Sequence, residues 1–185
     1  VYQASSPDEF SFLKFCAKLG IVYAGERKKP RSSTARQLGK MVSEPILISA
    51  TSPLSAKMIR TVRVGSSGGG EEEHSYELLD ILEFDSNRKR MSVIVRDMQR
   101  GEVLLLCKGA EMSVFKSCSS GDVQSCDADI KVFAQQGWRT LALAYKTLTE
   151  PEYEAVAQRL STAYNDVVNR NAMLAQAYDE IDRGL

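Results

Sequence analysis

This sequence predicts an α+β fold: a twisted, mainly antiparallel sheet of about six or seven strands flanked by helices. Three observations predict it. Residues 79–110, LDILEFDSNRKRMSVIVRDMQRGEVLLLCKGA, carry apolar side chains at every second position: Leu82 and Phe84, then Met91, Val93 and Val95, then Val103, Leu105 and Cys107. That period lines one face of a pleated strand. Turn formers separate the runs, with Asp85, Ser86 and Asn87 between the first two and Arg100 and Gly101 between the next two, so the three strands form an antiparallel meander. Apolar residues three or four apart near both ends of the chain mark flanking helices instead. Within the meander Leu79, Ile81, Ile94, Leu104 and Leu106 are apolar as well, so both faces are expected to be covered.

In chain order, Ser6 is placed to cap a helix, Pro7 to open it with φ already set, and Asp8 and Glu9 to complement its positive first turn. The helix is expected to run to about Leu19, burying Phe12, Leu13, Phe15, Cys16 and Leu19, and to end at Gly20. Ser6 and Glu9 also have the spacing of a capping box, in which the glutamate returns to the backbone of the cap. A short strand follows at 21–24. Residues 26–36 then gather Arg27, Lys28, Lys29, Arg31 and Arg36 around Pro30; they read as a solvated basic loop, with a phosphate-seeking patch or a phosphorylation site as alternatives. Strands are expected at 46–48 and 58–64, and GSSGGGEEE at 65–73 as a flexible turn. Residues of about 25–70 together form a loop-rich insertion.

After the meander a helix is expected from Gly109 to about Lys116 and another near 127–136, with Gly137 as its left-handed terminator. Residues 139–148 alternate again, with Leu141, Leu143 and Tyr145 on one face, and return to the sheet. Thr149, Glu150 and Pro151 start a long helix whose stripe Tyr153, Val156, Leu160, Tyr164, Val167, Leu174, Tyr178 and Ile181 is core packing, interrupted once near Asn171.

Composition narrows the function. A chain of 185 residues suits a single domain that buries about 70% of its unfolded surface. With 24 basic and 24 acidic residues there is no global field to attract nucleic acid or an anionic membrane. Cys16, Cys107, Cys118 and Cys126 form no C-x-x-C pair and have only His74 to help them hold a metal, so neither zinc nor a disulfide framework is expected. No apolar run reaches the ~18 residues of a membrane span, and no G-x-x-x-x-G-K-[ST] loop occurs. The chain starts in mid-pattern at Val1 and Tyr2 and stops at Leu185, and is read as a piece of something longer.

Four blocks resemble one family. LEFDSNRKRMSVIVRD, the LLCKGAE that follows it, YQASSPDE at 2–9 and GWRTLALAYKTLTEPEYE at 137–154 are similar, in order, to the nucleotide-binding (N) domain of P-type ATPases. YQASSPDE, RKRMSV and a KGAE without a following proline resemble the phospholipid-transporting P4 type. The resemblance implies an N-domain fold and ATP as substrate, held for transfer of its γ-phosphate to an Asp of a separate phosphorylation domain. It implies Mg²⁺ in the full-length protein, held by ligands outside this chain, and phosphorylation and actuator domains of the parent chain as partners. A phospholipid and an accessory membrane subunit are implied for the whole protein, which would make this chain a cytoplasmic domain of an integral membrane translocase. No D-K-T-G motif occurs here, so the isolated chain is expected to present ATP without hydrolysing it. Two alternatives stay open: a nucleotide-free interaction module of the same fold, and the N domain of a cation-transporting P-type ATPase.

The same resemblance implies ATP contacts at Glu9, Phe84, Lys108 and Arg139, with Ser86, Lys89 and Thr140 lining the pocket. The residue types suit that role. A phenyl ring stacks on a base for roughly 1–3 kcal/mol, Lys108 precedes a helix start where an anion is favoured, and Arg139 offers a fixed donor fork. Periodicity alone reads Phe84 as core, in phase with Leu82, and Glu9 as a capping residue. Trp138 and Glu111 stand where relatives often carry Leu and Asp, which removes neither a ring nor a donor.

Overall fold

The computed structural model describes residues 6–28, 58–65 and 70–185. Its six strands are β1 (Ile21–Lys28), β2 (Met58–Gly65), β3 (Glu71–Asp85), β4 (Arg90–Asp97), β5 (Val103–Gly109) and β6 (Ala142–Leu148). They form one sheet in chain order, each antiparallel to the next. Among the described residues five helices flank it: α1 (Pro7–Lys18), α2 (Glu111–Ser117), α3 (Val123–Gln135), α4 (Glu150–Asn165) and α5 (Arg170–Ile181). The expected strand at 46–48, most of the basic loop 26–36 and the middle of the 65–73 turn lie outside the described residues. Two expected loops begin or end as strand instead. Glu26, Arg27 and Lys28 continue β1, and Glu71, Glu72 and Glu73 open β3, paired with Gly65, Val64 and Arg63.

Every second residue of β4 and β5 faces the helices, but the phase on β4 is opposite to the one expected. Ser92 and Ile94 are buried with Leu82, Leu105 and Cys107, whereas Met91 and Val93 lie on the other face with Leu106 and Lys108, their partners across the ladder. Two register shifts between β3 and β4, at Leu78/Asp80 and at Leu82/Asp85, explain the inversion. A one-residue slip exchanges the faces of everything beyond it.

The core closes between this face of the sheet and α2, α4 and α5, through Val114, Leu160, Ala177, Tyr178 and Ile181. Thr149 and Glu152 cap α4 reciprocally. The expected single long helix breaks after Asn165, where Asp166 Oδ1 accepts from the backbone N–H of Val168 and Asn169 at 2.9 and 2.6 Å. Val167 is therefore 88% exposed, not part of the stripe. In α1 none of the residues is buried, and Phe12, Phe15 and Leu19 are exposed. This helix lies outside that core, with Leu13 lining a cavity alongside Ile21, Val62 and Leu106 and Glu9 reaching Lys108 of β5.

Gly109, the central residue of K-G-A, lets β5 pass the β3–β4 turn at close range. A methyl group there would overlap Arg90 Cβ and come within 2.6 Å of the Lys89 carbonyl oxygen. Backbone on one side leaves nowhere to move, so Gly109→Ala should lower the unfolding free energy by about 1–3 kcal/mol, read from the urea midpoint.

Candidate functional site

The face of the sheet turned away from α4 and α5 is apolar and half open. Across β3, β4, β5 and β6 the ladder aligns Ile81, Val93, Leu106 and Tyr145, and the next row aligns Met91, Lys108 and Leu143. Leu143 and Tyr145 are 75% and 68% exposed. A cavity of about 240 Å³ sits over the second row, lined by Met91, Val93, Leu106, Lys108 and Leu143.

Phe84 borders that row because of the second register shift. Leu82 pairs with Ser92 and Asp85 with Arg90, so Glu83 and Phe84 together oppose Met91 alone. A bulge of this kind re-aims side chains. Leu82 is fully buried while Phe84, two residues on, is 63% exposed. The alternation that reads Phe84 as core is broken at the one place where it matters. Met91 thus has the bulge of Phe84 across the ladder on one side and Lys108, with which it lines the cavity, on the other.

The turn after Phe84 is tightly held. Asp85 Oδ1 accepts from the N–H of Asn87 at 2.7 Å and of Arg88 at 2.9 Å, and the Lys89 N–H donates to the Asp85 carbonyl at 2.6 Å. Those donors hold the Asp85 carboxyl below its usual range. Lys89 takes a left-handed φ of 51°. Ser86 and Lys89 are exposed on this turn, while Arg88 and Arg90 are buried. Burial alone would lower the Arg90 pKa, but hydrogen bonds to Asp182 and Asp179 outweigh it and raise the value.

Consecutive carboxylates of α1 meet the two other expected cations. With Ser6 Oγ accepting from the Glu9 N–H at 3.2 Å, the first turn is fixed over the end of β5. Glu9 Oε1 lies 2.7 Å from Lys108 Nζ, both side chains about one third exposed. Asp8 Oδ2 lies 2.9 Å from Arg139 Nη1. Arg139 belongs to the loop before β6 and not to the strand, after Gly137 (φ 76°) has ended α3 and Trp138 has stacked on Phe133 at 5.5 Å. Thr140 is half buried in the same loop. Partly exposed ion pairs of this kind contribute about 1 kcal/mol or less, so they are readily exchanged for a stronger anion.

The structure thus brings Glu9, Lys108, Asp8 and Arg139 together through α1, and Phe84 to the same end of the sheet through the ladder. Ser86 and Lys89 lie on the turn at that end, and Thr140 beside Arg139. Sequence reasoning missed Asp8 as a partner of Arg139, Met91 and Leu143 as the floor, and the buried Asp182 that holds the turn. Asp182 carries a readable signal: it falls four residues after Tyr178, a polar residue at a position of the apolar stripe.

A six-stranded antiparallel meander flanked by helices is an α+β fold consistent with the N domain of a P-type ATPase. The model of the P-type ATPase cytoplasmic domain N matches residues 2–177, and the chain belongs to that family. It is 44% identical over 110 residues to human phospholipid-transporting ATPase IH, covering 60% of this chain and 10% of the relative. It is 32% identical over 189 aligned residues to the probable phospholipid-transporting ATPase 12 of Arabidopsis thaliana, and 30% over 184 to mouse phospholipid-transporting ATPase 11C. Each of these alignments covers 100% of this chain and 13% of the relative. The chain therefore spans about a tenth of the length of the curated relatives it matches.

Bulge geometry makes two neighbours behave oppositely. Leu82→Ala should cost about 2–5 kcal/mol, as for a buried leucine. Phe84→Ala should change stability by only about 0.5 kcal/mol. Paired denaturant curves check this, and equal losses would return Phe84 to the core.

Proposed function

We propose that this chain is the ATP-binding domain of a phospholipid-transporting P-type ATPase. In this reading it holds ATP while a separate domain takes the γ-phosphate on an Asp, driving lipid movement between leaflets. The observation that carries the reading is Lys108 in an apolar cavity with Met91 and Leu143, with the exposed Phe84 ring at the bulge opposite Met91. Adenine enters against the Phe84 ring and over Met91. Lys108 exchanges its Glu9 partner for, or shares it with, the purine and ribose end of the ligand. Arg139 leaves Asp8 for a phosphate oxygen, a charge-assisted bond stronger than the exposed pair it replaces. Ser86, Lys89 and Thr140 border the same pocket.

Positioning supplies most of what a protein contributes to phosphoryl transfer, and a lobe that only orients ATP is consistent with the absence of D-K-T-G. In this reading Mg²⁺ is held in the full-length protein by ligands outside this chain. In the whole protein this domain lies on the cytoplasmic side. It works with phosphorylation and actuator domains, and the lipid and any accessory subunit contact other parts of the parent chain.

Without the phosphate-end contacts of the other domains, affinity should be about millimolar, near 4 kcal/mol. Titrating ATP while recording backbone NMR shifts should move Glu9, Phe84, Lys108 and Arg139 first and Ser86, Lys89 and Thr140 with them. No clustered shifts at several millimolar ATP would overturn the reading.

A further inference from the structure

We propose that Arg88, gripped by Asp182, is the positioning residue of the Phe84 ring; the proposal rests on the ATP reading above. At the bulge Glu83 and Phe84 share one opposite residue, which disrupts the backbone ladder just before the ring. The Arg88 guanidinium supplies what the bulge removes. Its Nη2 donates to the carbonyls of Glu83 at 2.7 Å and Leu82 at 3.3 Å, the two residues preceding Phe84. Its Nη1 donates to Asp182 Oδ2 at 2.5 Å, and its charge lies 5.0 Å from the centre of the Tyr178 ring.

Asp182 is fully buried just beyond α5. Besides Arg88 it accepts from Arg90 Nε at 2.6 Å and Ser92 Oγ at 2.7 Å. Arg90 extends the cluster to Ser113 Oγ and Asp179, both at 2.8 Å, and Ser113 Oγ donates to the Arg88 carbonyl at 2.5 Å. The turn that begins one residue after Phe84 is therefore tied to the start of α2 and the end of α5.

Stability alone is a poor account of this cluster. Desolvating charges offsets most of what their attraction gains, and among the described residues the buried Arg88 Nε has no partner. Its specific geometric consequence is the place of the backbone that carries the ring. The alternation across residues 88–90 follows: both arginines turn inward, and Lys89 is the exposed cation.

A double-mutant cycle on ATP affinity tests this, using the 185-residue chain. Phe84→Ala should weaken ATP about tenfold. Arg88→Lys keeps the charge but, with one nitrogen in place of Nη1 and Nη2, cannot occupy both the Asp182 and the carbonyl positions at once, and should weaken ATP three- to tenfold. In the Phe84→Ala background, adding Arg88→Lys should change affinity less than twofold, because its effect passes through the ring. Asp182→Asn, close in volume, is the second variant and should give the same pattern. Should either variant lose its folded spectrum, amide order parameters of the unaltered chain decide. Glu83 and Phe84 should match rigid strand at about 0.85, and values below about 0.6 overturn the proposal. An equal loss in both backgrounds, or Phe84→Ala weakening ATP while Arg88→Lys does not, overturns the positioning role alone. Phe84→Ala without effect overturns the ATP reading and this role with it.

Discussion

Two residues of β3 facing one residue of β4 set the character of this molecule. A regular ladder through Leu82 would place residue 84 on the helix side of the sheet, because side chains alternate. The slip between Leu82 and Asp85 turns the ring to the open face and leaves backbone carbonyls for a side chain to satisfy. The buried Arg88 answers that slip directly, through the carbonyls of Leu82 and Glu83.

The two faces then divide the work. Leucines, valines and tyrosines of β3–β6, α2, α4 and α5 close the core on one side. The other face carries exposed Leu143, Tyr145 and Phe84. Apolar side chains gathered in the open are unusual unless something binds there. The cations at its end are kept quiet by α1, a helix with no buried residue of its own, whose first turn serves as counter-ion. Weak, exchangeable pairs suit the phosphate binding proposed for this surface.

The fold was largely legible because period-two runs and turn residues agree: the antiparallel meander of β3, β4 and β5, the return of β6 to the sheet, the Gly137 terminator and the start of α1 at Ser6 all follow from local chemistry. Phase was not legible. Nothing in LEFDSNRKRMSV announces a register slip, so Met91 and Val93 read as core and Phe84 as their companion, when Ser92 and Ile94 face inward. The burial expected of α1 failed for another reason. Its apolar residues mark a face, but periodicity does not say whether a partner lies on it. Likewise the stripe after Thr149 counted Val167, since a break built from Asp166 and backbone N–H groups leaves little trace in spacing. The cationic and aromatic types of the candidate site were visible. The ion pairs of Asp8 and Asp182 were not, because they join residues 131 and about 90 positions apart.

The central claim is that the ring displaced by the bulge receives a purine. Intermolecular nuclear Overhauser effects recorded on the chain with near-saturating ATP test it most directly. Contacts from adenine H2 and H8 to the Phe84 ring protons and the Met91 methyl group are the predicted result. Adenine contacts confined to another part of the surface, with none to Phe84, would contradict the account.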